Sequence, residues 1–70
     1  MEKDLKLMHF EFEGIVNDVC RLERKFLRHK GVHSVDVILA EKVIYFTIDT
    51  DVVQVDSLIE MIQIENLKII

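Results

Sequence analysis

The sequence predicts an α+β sandwich: four antiparallel strands carrying two helices on one face, in the order βαββαβ. Three observations predict it. Apolar side chains alternate with a period of two over three separate stretches, as half-buried strands require. Two other stretches space their apolar residues at helical intervals. Proline is absent and the only glycines, Gly14 and Gly31, fall at the ends of these stretches, so nothing reads as a linker and residues 1–70 form one domain. Right-handed crossovers interleave the elements as two split βαβ units, the ferredoxin-like arrangement.

The first strand runs from Leu5 to Glu13, with Met8, Phe10 and Phe12 on one face and Leu7, His9 and Glu11 on the other. Asn17 or Asp18 can cap a helix running to about Lys30, with Val19, Leu22 and Phe26 as its apolar stripe and Leu27 at the edge. A second strand over about His33 to Ala40 turns Val35, Val37 and Leu39 inward. The short break Ala40-Glu41-Lys42, which carries no Asn-Gly signal, leads to a third strand with Ile44, Phe46 and Ile48 inward. Val55, Leu58, Ile59 and Ile62 have the spacing of a short packed helix. Asn66 can take the left-handed conformation that ends it, and Leu67 to Ile70 make a last strand. The predicted core joins Met8, Phe10, Phe12, Val35, Val37, Ile44 and Phe46 to Leu22, Phe26, Leu58 and Ile62.

Composition narrows the function. Half of the residues are apolar and the formal net charge is −4, which argues against nucleic acid, whose binding needs clustered positive charge. Five of the nine Lys and Arg residues nevertheless fall between Arg21 and Lys30, making one basic helix on an acidic body. A single cysteine, Cys20, allows no intramolecular disulfide and suits a reducing cytoplasm. No apolar run approaches a membrane span, and Glu2 and Asp4 beside two lysines do not read as a signal peptide. With no nucleophile–base pair, no paired-carboxylate pocket and no phosphate-cradling loop in view, a non-enzyme is expected.

Arg21, Leu22 and Glu23, followed by Gly31, Val32, Ser34, Val35, Val37, Leu39 and Ala40, form a pattern that resembles the heavy-metal-associated domain family. These are ferredoxin-like metallochaperones and N-terminal domains of metal-transporting P-type ATPases. In that family a glycine loop holding C-x-x-C precedes the first helix; here the same place reads Gly14-Ile15-Val16-Asn17-Asp18-Val19-Cys20, with one thiol. Aligning on Gly14 puts Asn17 and Cys20 at the two cysteine positions, whereas aligning on the helix and Gly31 puts Asp18 at the second. The helix alignment keeps every core position in phase, and a loop loses two residues more cheaply than a helix does. The resemblance implies trafficking of copper(I) or zinc, a metal-transporting P-type ATPase as partner, and Cys20 with Asp18 as the residues left to hold an ion weakly. Two thiolates suit cuprous copper and four donors suit zinc. Asn66 and Leu67 stand where the family carries a glycine and an aromatic shield, a further departure from a copper site.

The competing reading takes Cys20 as a buried or half-buried thiol beside the core and the chain as a metal-independent interaction or regulatory module. His29 and His33 are expected at the end of the sheet opposite Cys20, and His9 mid-strand on the open face, so none joins Cys20 on one ion. That open face gathers Leu5, Leu7, Ile38, Val43 and Tyr45, an apolar set suited to self-association or a partner. The strand from His33 to Ala40 is expected at a sheet edge.

Overall fold

The computed structural model describes residues 4–70, so the first residues of the supposed non-signal start lie outside the described part. Strands β1 (Leu5–Glu13), β2 (Val32–Ile38), β3 (Val43–Asp49) and β4 (Lys68–Ile69) and helices α1 (Val19–Leu27) and α2 (Val55–Ile64) follow in the order βαββαβ. The sheet is antiparallel with strand order β2-β3-β1-β4. This is the ferredoxin-like α+β fold expected from the sequence, and β2 lies at an edge as expected.

Register explains the core. Met8 and Val35 flank Phe46 from either side, and Phe10 and Val37 flank Ile44 in the same way, so the inward residues of three strands share one face. Onto that face α1 brings Leu22 and Phe26, and α2 brings Leu58, Met61 and Ile62. Phe46 packs edge-on to Phe10, 5.9 Å between centroids, and tilted against Phe26 at 5.5 Å, geometries that suit the charge distribution of the rings. No polar or charged side chain is buried among the described residues, so the core is held by apolar burial alone.

Several boundaries differ from expectation. Helix α1 stops at Leu27 rather than Lys30, because the amides of Arg28 and His29 bond back three residues to Lys25 and Phe26 and tighten the last turn. Gly31, at φ +93°, then turns the chain so that Val32 enters the core as the first residue of β2. Leu39 does not point inward: it begins the four-residue turn Leu39–Lys42, closed by a 3.2 Å bond from the Lys42 amide to the Leu39 carbonyl, with Lys42 left-handed at φ +53°. On α2, Val55 is the first helical residue and is exposed, whereas Met61 is buried; the buried stripe is Leu58, Met61 and Ile62. Asn66 ends the helix at φ +63° as expected, and β4 is only two residues long.

Candidate metal loop

Residues 14–18 form the loop between β1 and α1. Gly14 adopts φ +137° and sits so close to Leu67 that an added Cβ would come 2.7 Å from Leu67 Cδ2. Its carbonyl accepts a 3.2 Å hydrogen bond from Lys42 Nζ, a tie that no sequence pattern announces. Leu67 is buried, so the position following Asn66 is an aliphatic wall for the loop.

Asp18 is the N-cap of α1. Its backbone is extended, its carbonyl accepts from the Leu22 amide, and its Oδ1 accepts from the Arg21 amide at 3.1 Å. Of the two capping candidates the structure selects Asp18, and one carboxylate oxygen is thereby committed to the helix. Cys20 is the second helical residue and is exposed, which corrects the expectation of a buried or half-buried thiol. At about 100° per residue, Cys20 lies roughly 200° around the axis from Leu22, whereas Asp18, Leu22 and Phe26 fall on one face. The groove of about 360 Å³ beside the loop reflects this: Asn17, Asp18, Leu22, Lys25, Glu65 and Leu67 line it together with Ile15, Val16 and Arg21, and Cys20 does not. Lys25 and Glu65 close one wall with a 3.1 Å ion pair, which at this exposure contributes little to stability. The structure therefore places the two predicted site residues two positions apart in sequence but on different sides of the helix.

Among the described residues no three His, Cys, Asp or Glu side chains are grouped as a metal ion would require. His29 follows the end of α1 and His33 occupies the irregularity between Val32 and Ser34 in β2, so the helix from Cys20 to Leu27, roughly 10 Å long at 1.5 Å per residue, lies between Cys20 and both of them. His9 lies on the open face against Tyr45, 5.8 Å between ring centroids. The donors available to one chain at the loop are one thiol and one capping carboxylate, which fit neither a two-thiolate copper site nor a four-donor zinc site.

Beside the loop, Arg21, Arg24, Lys25 and Arg28 line a shallow cleft along α1. On the open face of the sheet, Val43 is buried between its neighbours, while Leu5 and Leu7 are exposed. Asp36, Tyr45 and His9 form one row across β2, β3 and β1, and Ser34, Thr47 and Leu7 form the next, so polar residues interrupt the apolar set. No helix among the described residues is long and apolar enough to cross a membrane.

No protein-family model matches the sequence, and no curated protein matches it. Solved structures do. The chain is similar to the "putative copper-ion-binding protein" of Bacillus anthracis, with a TM-score of 0.86, 24% identity, and coverage of 99% of this chain and 100% of that one. It is also similar to the copper form of a substituted CopA from Bacillus subtilis, with a TM-score of 0.80, 21% identity, and coverage of 100% and 95%. At these identities the likeness establishes the fold, and the fold expected from the resemblance to heavy-metal-associated domains is the fold observed.

Proposed function

We propose that this chain is a heavy-metal-associated-like domain linked to the trafficking of copper(I) or zinc, and that its own hold on the ion is weak. The observation that carries the reading is the loop itself. It keeps the glycine turn and the helix start of a metal loop, but offers one exposed thiol, Cys20, and one carboxylate, Asp18, already used as a helix cap. The ion is cargo rather than a resident cofactor, and the domain is not an enzyme. Its partner is a metal-transporting P-type ATPase or another copy of the chain, and its compartment is the cytoplasm, where a lone exposed thiol stays reduced. The likeness in fold to two copper proteins supports the trafficking context.

The second reading, a metal-independent interaction module, is favoured by one specific observation: Cys20 and Asp18 face different sides of α1. Titration of the reduced protein with cuprous copper and with zinc against a chromogenic competitor separates the readings. Weak binding lost in Cys20→Ser supports weak trafficking. No binding by the unmodified chain supports the interaction module. Tight one-to-one binding that Cys20→Ser abolishes overturns both.

A further inference from the structure

We propose that the chain forms a twofold dimer by pairing the outer edge of β1 with the same edge of a second copy, centred on Leu7. The inference stands on backbone register and exposure, and it is independent of the metal reading.

Strand β1 spends the amides of its even-numbered residues on β3. The Phe12 amide bonds to the Lys42 carbonyl and the Thr50 amide to the Asp4 carbonyl, which fixes the alternation along the whole ladder. The odd-numbered residues therefore turn their amides and carbonyls the other way, toward β4. There β4 covers only one end: it pairs at Phe12 and Glu13, and the Ile70 amide bonds to the Glu11 carbonyl. Leu5, Leu7 and His9 find no backbone partner on that side among the described residues. Three donors and three acceptors in line along an edge are a template for another strand.

The two edges of the sheet differ. At the β2 edge, Glu23 reaches across from α1 and accepts the outward Val37 amide at 2.9 Å, and the irregularity at His33 breaks the row. Such devices protect an edge. The open part of β1 has neither; of its side chains Leu7 is 68% exposed and Leu5 47%, with Lys6 and His9 exposed beside them.

A second copy is the occupant the register selects. Antiparallel pairing about Leu7 sets Leu7 opposite the partner's Leu7 and Leu5 opposite the partner's His9, so each open amide meets an open carbonyl. Such a pairing makes about six hydrogen bonds, two at each opposed pair. No like charges are directly opposed, and one patch serves both subunits, as twofold symmetry requires. The sheets of the two copies become one continuous sheet, with the two Leu7 side chains in contact on its open face. An interface this small lies below the roughly 1,000 Å² of a stable complex, so the dimer is weak and forms at high concentration.

Sedimentation velocity from about 10 μM to about 2 mM, the range open to so small an interface, tests it. The expected result is a mass that climbs from the 8.3 kDa of the monomer toward twice that value. Over the same range, amide exchange at Leu5, Leu7 and His9 slows. A synthetic chain carrying N-methyl-Leu7 keeps the side chain and the β3 ladder and removes one outward donor; it stays monomeric while its circular dichroism is unchanged. Should that chain misfold, the concentration-dependent exchange of the unmodified chain decides alone. A mass that stays at the monomer value overturns the proposal. So does an N-methyl chain that dimerises as strongly as the unmodified one, and so does exchange at the three amides that ignores concentration.

Discussion

Replacing Phe46 by alanine removes the side chain on which the two layers converge. Phe46 is fully buried, lies under Phe26 of α1, meets Phe10 of β1 edge-on, and has Met8 and Val35 as cross-strand neighbours. Loss of a buried ring costs about 3–5 kcal/mol, from lost transfer energy and from a cavity that rigid neighbours cannot fill. The upper part of that range applies because strands on both sides and a helix above hold the walls apart. A domain of 70 residues has a total stability of roughly 3.5–10 kcal/mol at the usual per-residue value. The variant is therefore marginal, with a midpoint lowered by ~16–40 °C for a domain of this size. Urea unfolding followed by far-ultraviolet circular dichroism measures the change, with Leu7→Ala as the exposed control, expected within about 0.5 kcal/mol of the unmodified chain. A cooperative Phe46→Ala protein within about 1 kcal/mol of the original, at the same denaturant slope, would refute the placement of β3 and of the core it anchors.

Gly31→Ala adds a Cβ that overlaps Val53 and comes 2.9 Å from Val52, at a backbone φ of +93°; strain and overpacking together cost about 2–4 kcal/mol by the same urea assay. Asp18→Ala deletes the cap of α1 and lowers stability by about 1 kcal/mol, while Asp18→Asn restores most of it. Glu23→Ala strips the acceptor from the Val37 amide, which costs about 1–3 kcal/mol and shows as faster hydrogen exchange at that one amide.

Where a residue's environment is set by period alone, the sequence was readable. Leu5–Glu13 appears with its predicted bounds because the alternation of Met8, Phe10 and Phe12 with His9, Glu11 and Glu13 fixes which face turns inward, and Ile44, Phe46 and Ile48 face inward for the same reason. Asn66 was legible because few residues tolerate a left-handed backbone at a helix end. What was not legible lies at the ends of elements. Leu39 continues the alternation of β2 and still leaves the sheet, because a turn that must reverse the chain consumes it. Val55 fits the helical stripe, yet it occupies the first turn, where the helix axis and not the period decides what is covered. Val32, Val53 and Leu67 enter the core from loops and strand ends, positions that periodicity does not reach. At the candidate site, Asn17 and Asp18 were both legible in the sequence as caps of α1, and the hydrogen bond from the Arg21 amide selects Asp18. The exposure of Cys20 was not visible, since cysteine composition favours burial and only the helix phase turns the thiol to solvent.

The central claim is that one chain lacks the donors for a tight copper site, and competition titration of the reduced monomer with cuprous copper tests it most directly. The measurement is made at a concentration low enough to exclude dimers, with Cys20→Ser and Asp18→Ala alongside. The account predicts that a modest chromogenic chelator keeps the copper, that any residual binding vanishes in Cys20→Ser, and that Asp18→Ala alters stability more than affinity. A one-to-one complex that withstands the chelator and disappears in Cys20→Ser would contradict it, and would make Cys20 a true metal ligand.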